Sequence, residues 1–343
     1  MGEARFDFGR WPKTDLHCHL DGSLRPASLV ELGREAGHAV GALGPEAARA
    51  LVAAGPGSRS LPEYLEAFAT TVAVLQTEEA LERAAFELVE DAAAESVWWL
   101  ELRFCPFLHR ERGLSLESVT SAVARGARRG AEATGVGAGV ILSAMRNRPP
   151  SETMTMVELA GALRAEGVVG VDLAGPEAGY SAAEHAEAFR AAGRAGLGVT
   201  IHAGEADGPE SVWAALDACA AVRVGHGCRA VEDPKLVGAL RERRVLVEVC
   251  PLSNLQTGAV RALEAHPMRA LREAGVAVTV ATDNRLITGT TVSDELERVV
   301  SALGWGRREA TELVFAGFEG AFTDGAETLT ARARAMLDAN STD

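Results

Sequence analysis

The chain is predicted to be an α/β protein, a (β/α)8 barrel. Three observations point there. Eight short apolar, β-rich runs alternate with amphipathic helical stretches from end to end, the pattern of a parallel sheet wrapped by helices. The histidines and aspartate best suited to chemistry stand at the C-terminal ends of those runs, where such barrels carry their active sites. The segment after the first run, LHCHLDGS, is not the glycine-rich phosphate turn that a doubly wound open sheet would place there.

The runs lie at 15–20, 97–104, 139–144, 168–174, 198–202, 222–226, 245–250 and 276–282. Between them, 115–135, 181–196 and 233–244 repeat apolar residues at three- and four-residue spacing, as helices that cover a sheet must. The alternation is regular except after the first run. There, about 25–96 holds two or three extra helices and the loop GPGSRS. An insertion at that place overhangs the mouth of a barrel and is a candidate lid. The whole of 1–343 is read as one domain.

Composition narrows the function. Hydrophobic residues make up 47% and charged residues 24%, as in ordinary globular domains. A formal net charge of -14 argues against a phosphate-backbone ligand and favours a small molecule over nucleic acid. Cys18, Cys105, Cys219, Cys228 and Cys250 are odd in number and scattered, which suits free thiols in a reducing compartment. The N-terminus has acidic residues and Pro12 where a secretory signal needs an apolar stretch, and no apolar run is long enough to span a membrane. A cytoplasmic protein is expected. The MG start lacks the serine or threonine that would complete an acylation pattern.

His17 and His19 end the first run, His202 the fifth, His226 the sixth and Asp283 the eighth. Such residues would leave costly unpaired polar groups at buried strand ends unless they converge on something. His17 and His19 are separated by one residue, so both side chains leave the same face of an extended strand. With His202 and Asp283 they make three imidazoles and a carboxylate, with room for a water. That is the composition of a catalytic zinc site, whose bound water ionises near neutrality. A binuclear site would need a carboxylated lysine on the fourth run, which reads VVGVDLAG; neither Lys13 nor Lys235 is near, so one ion per chain is expected.

Glu205, in IHAGE, could serve as a general acid toward a ring nitrogen, or merely favour a helix N-terminus. His226, flanked by glycines in VGHG, could orient the zinc-bound water or be a further ligand. Asp21, in LDGS, could be a cap. His38, His109, His185 and His266 lie outside this constellation, where surface or capping roles suffice. The segment CPFL after the second run could line a substrate pocket.

The motifs TDLHCHLDGSLRP, VDLAGPE, IHAGE, VGHG, CPLSNLQTGA and TDN, in that order, resemble the adenosine deaminase family across nearly the whole chain. The resemblance implies a zinc-bearing (β/α)8 TIM barrel of the metal-dependent hydrolase type. It implies metal ligation by His17, His19, His202 and Asp283, protonation of purine N1 by Glu205, and steering of hydroxide onto C6 by His226. Asp21 matches the family position that meets the ribose 5′-hydroxyl, and Gly175 the one whose backbone N–H meets N3. Asn284 departs from the family, which usually has an aspartate on N7. An amide still donates there, with a different charge and pH dependence.

The expectation is therefore hydrolytic deamination of a 6-aminopurine nucleoside, adenosine or deoxyadenosine, to inosine or deoxyinosine and ammonia. NRLITGTTVSDE looks like a bacterial branch whose relatives also deaminate free adenine or 6-aminodeoxyfutalosine. Rival readings are a metal-dependent phosphoesterase or amidohydrolase, and a barrel kept only for binding. The second should have lost His17, His202, Glu205 or Asp283, and none is lost. The HxE…PCxxC signature of zinc deaminases that act on nucleic-acid bases is absent.

Overall fold

A computed structural model describes residues 6–55 and 60–339. Most of the GPGSRS loop, and the MG start, lie outside the described residues. Eight parallel strands follow one another in chain order: β1 Lys13–His19, β2 Val97–Phe104, β3 Gly137–Met145, β4 Val168–Ala174, β5 Gly198–Ala203, β6 Arg223–His226, β7 Leu246–Val249 and β8 Ala277–Val280. The ring closes at a parallel bridge between Cys18 and Asp283. There the Asp283 N–H donates to the His17 carbonyl and the His19 N–H to the Asp283 carbonyl, each at 2.7 Å. β8 ends earlier than its apolar run suggests, because Asp283 takes a left-handed φ of 59° and turns the chain into the mouth.

The helices form for local reasons that the sequence shows. Leu116–Thr134 begins where the Ser115 hydroxyl accepts the Ser118 N–H at 2.9 Å, and ends where Gly135 turns left-handed. Pro234–Glu242 begins where Asp233 accepts the Lys235 N–H at 2.9 Å.

The excursion after β1 holds more helices than its pattern suggests: α1 Pro26–Ala36, α2 Pro45–Val52, α3 Leu61–Glu66, α4 Phe68–Val74 and α5 Glu78–Ala94. Proline in the first turns of α1, α2 and α3 and a left-handed Gly37 after α1 cut what reads as long helices into short ones. α5 packs on β2 and on the helix Leu116–Thr134, as a barrel's own helix does. The remaining helices carry Tyr64 and Phe68 to the mouth, where the Phe68 ring lies 6.2 Å from that of His19.

Inside the barrel the strands present charge. Arg103, Arg223, Glu101, Asp172 and Glu248 are buried and paired: Arg103 Nη2 lies 2.9 Å from Glu248 Oε2, and Arg223 Nε 2.6 Å from Glu248 Oε1. Buried ions of this kind persist only when they are paired and hydrogen-bonded. Glu248 and Asp172 reach up from this network to the site.

Candidate metal and catalytic centre

Four side-chain atoms converge above the strand ends. His202 Nε2 lies 3.0 Å from His17 Nε2 and 3.2 Å from His19 Nε2. Asp283 Oδ1 lies 3.6 Å from His17 Nε2 and 3.5 Å from His19 Nε2. Ligands held tetrahedrally at zinc distances stand about 3.3 Å apart, so these spacings fit one ion at the centre. His226 borders the same point: ligand atoms of His17, His202, His226 and Asp283 all lie within 4.8 Å of one another. Gly225 lets this happen, since a Cβ there would stand 2.8 Å from His17 Cε1. His226 and Asp283 both adopt left-handed backbone, at φ 64° and 59°. Such conformations cost roughly 1–3 kcal/mol each and gather at functional sites.

The outer nitrogens fix the rings. His17 Nδ1 meets Glu248 Oε2 at 3.0 Å, and His202 Nδ1 meets Asp172 Oδ1 at 2.9 Å. A carboxylate only accepts, so each Nδ1 carries its proton and each Nε2 turns a lone pair inward, as a metal ligand must. Burial opposes the charge of Asp172, but the neighbouring His202 and Arg103 overcome it and hold the carboxyl well below its usual range. The Ser253 hydroxyl donates to Asp283 Oδ2 at 2.6 Å and leaves Oδ1 for the centre.

Glu205 stands beside this cluster, its Oε2 3.6 Å from His226 Nε2 and its Oε1 accepting from Thr257 at 2.9 Å. Its loop is gripped by one carboxylate: Glu177 accepts the backbone N–H groups of Gly204, Glu205, Ala206 and Asp207 at 2.5–3.0 Å and the Ser211 hydroxyl at 2.5 Å. Burial, reinforced by the Glu177 charge, pushes the Glu205 carboxyl up to about 7. Burial likewise brings His226 down to about 4. A carboxyl kept protonated near neutrality can give a proton.

Asp21 is buried, and its Oδ1 has no hydrogen-bond partner; the first long helix starts instead at Pro26, with Arg25 as its N-cap. Gly175 follows β4 with φ 93°. Asn284 is buried, with Nδ2 on the Tyr64 hydroxyl at 2.6 Å and Oδ1 unpartnered against Gly22, where a Cβ would stand 1.7 Å away. Of the histidines assigned surface or capping roles, His38 caps its turn by accepting the Val40 N–H. The other three are buried. His109 Nε2 faces Asp21 Oδ2 at 3.7 Å, His185 bonds Thr153, and His266 lies behind His226. Sequence reading missed Glu177, Asp172, Glu248 and Tyr64. The first three interrupt apolar or glycine-rich surroundings with a charge, a signal that was there to use.

Fold and site together define a (β/α)8 barrel whose mouth gathers histidines and an aspartate that could hold a metal ion, beside a buried glutamate whose carboxyl is raised to about 7. The chain belongs to the adenosine deaminase family, whose model, described as "Adenosine deaminase", matches residues 12–335. It is 43% identical to adenosine deaminase 1 of Streptomyces coelicolor, over 86% of this chain and 78% of that one. It is 40% identical to the adenosine deaminase of Mycobacterium leprae, over 91% and 90%. Among solved structures it superposes on a zinc-bound amidohydrolase from Burkholderia ambifaria with a TM-score of 0.90 at 27% identity, covering 98% and 93% of the two chains. It superposes on the adenine deaminase of Arthrobacter aurescens with a TM-score of 0.87 at 27% identity, covering 95% and 99%.

Proposed function

We propose that this protein hydrolyses adenosine and deoxyadenosine to inosine and deoxyinosine with release of ammonia, using one zinc ion per chain. The observation that carries the reading is the convergence of His17, His19, His202 and Asp283 at ligand spacing beside a buried Glu205, whose carboxyl burial pushes up to about 7. The much higher identity to adenosine deaminases than to the adenine deaminase favours the nucleoside over the free base. A single ion is supported by β4, which offers no lysine, and by Lys13, whose Nζ is bonded to the Phe8 and Trp11 carbonyls away from the mouth.

Zinc in this cluster supplies a water that is nucleophilic near neutral pH. The chain does the rest. Glu205 gives its proton to purine N1, which makes C6 electrophilic, and then takes up the proton of the attacking water and passes it toward the departing amine. His226 faces Glu205 and orients the attacking oxygen. Asp21, with an unpartnered buried oxygen, receives the 5′-hydroxyl, and the Gly175 N–H meets N3. Asn284, whose Nδ2 donates to the Tyr64 hydroxyl at 2.6 Å, meets N7 through that amide once the bond to Tyr64 is exchanged for one to the purine. The helices between β1 and α5 cover this pocket as part of one catalytic unit.

Among the described residues no helix is long and apolar enough to cross a membrane. All five cysteines are buried and unpaired, which supports a reducing, cytoplasmic setting. The direct test is turnover of adenosine, adenine and a 5′-extended adenosine by protein of measured metal content. The reading requires one zinc per chain and the highest kcat/KM for adenosine; full activity in metal-stripped protein would sink it.

A further inference from the structure

We propose that the Met268 backbone N–H, acting through His266 and Asn254, fixes the proton of His226 on Nε2 and so makes this histidine a donor into the site rather than a metal ligand. The relay starts from a group that can only donate. The Met268 N–H lies 3.1 Å from His266 Nδ1, so that nitrogen is an acceptor and the His266 proton sits on Nε2. His266 Nε2 lies 3.3 Å from Asn254 Oδ1, which accepts it and sets the direction of the amide. Asn254 Nδ2 then faces His226 Nδ1 at 2.9 Å and donates to it. With Nδ1 occupied as an acceptor, His226 carries its proton on Nε2, the nitrogen 3.6 Å from Glu205 Oε2.

No step of this chain is open to water: His266, Asn254 and His226 are 2%, 0% and 1% exposed. His17 and His202 have the opposite arrangement, because Glu248 and Asp172 accept from their Nδ1 atoms. Similar imidazoles around one point are thus sorted by what stands behind them. Carboxylates behind give lone pairs in front, and an amide N–H behind gives a proton in front. His266 and Asn254 are positioning residues; neither needs to touch the substrate. The catalytic consequence rests on the deaminase reading, since a donor at Nε2 orients the attacking oxygen, but the proton's location does not.

The test is nitrogen NMR of zinc-loaded protein labelled with 15N-histidine. His226 should show an unprotonated Nδ1 and a protonated Nε2, with protonated Nδ1 atoms on His17 and His202. A protonated Nδ1 on His226 overturns the proposal even if adenosine is deaminated, and the expected pattern upholds it even if adenosine is not. Asn254→Asp replaces the donor by an acceptor and draws the proton to Nδ1. It should lower kcat about 100-fold, the scale of losing one aimed donor, with KM and zinc content unchanged. His266→Leu should lower kcat about tenfold and His266→Gln, whose amide N–H can still reach Asn254, should restore it to within about twofold. A merely structural role would move the Leu and Gln variants alike, and that result would count against the relay.

Discussion

On the strand side of the mouth, His17 and His202 are each braced by a buried carboxylate that is itself tied into the ion network of the barrel interior. On the insertion side, Tyr64 and Phe68 reach the same mouth from α3 and α4, helices of six and seven residues. Tyr64 is held there by Thr288 and Asn284 on the last strand's loop. The first wall is over-determined and the second rests on a few contacts. Chemistry that needs fixed distances belongs on the first, and recognition of a ligand that must enter and leave belongs on the second. Substitutions on the strand side should therefore appear in kcat and metal content, and those on the insertion side in KM.

The largest effect expected is that of Glu205→Gln. An amide cannot deliver the proton to N1, so kcat should fall on the order of 10³-fold while zinc content stays at one per chain. Near-normal turnover would remove Glu205 from the chemistry. Next comes Asp172→Asn, which leaves the His202 ring without its carboxylate. Zinc affinity, measured by competition with a chelator, should weaken about 10- to 100-fold. An unchanged affinity would mean that the brace is not what holds the ligand.

The pH profile should show a smaller, graded effect. Glu205 is pushed up to about 7, and in the proposed mechanism only its protonated form gives the proton. Raising pH removes that form, so kcat/KM should decline above about pH 7, approaching tenfold per pH unit. Glu205→Gln should abolish that limb. A wild-type profile flat to pH 9 would assign the proton elsewhere. The smallest effect is that of Tyr64→Phe, which loses the hydroxyl shared by Asn284 and Thr288. KM for adenosine should rise about fivefold, the worth of about one hydrogen bond, with kcat nearly unchanged. If kcat fell and KM did not, the division between the two walls would be wrong.

Much of this was open to a reader of the sequence. Strand order follows from the eight apolar runs, the strands lie within about two residues of those runs, and His17, His19, His202, His226 and Asp283 stand at or beside the C-terminal ends of four of them. The less visible parts depend on distance in the chain. Glu248 and His17 are 231 residues apart, so nothing local says that one orients the other. His266 looks like a loop histidine because its meaning comes from Asn254, and through it from His226. The insertion was harder still: whether α1 to α4 are separate helices turns on prolines and glycines, but what they cover turns on Tyr64 meeting Asn284.

The seam of the barrel has a consequence of its own. The residue that joins the last strand to the first, Asp283, also offers its side chain to the metal cluster, and its backbone partners are His17 and His19. Under the proposed zinc ligation, holding the ion and zipping the ring shut would be a single linked equilibrium, in which free metal stabilises the fold by mass action. Chelation should loosen hydrogen-exchange protection first at residues 17–19 and 283, long before the distant strands let go.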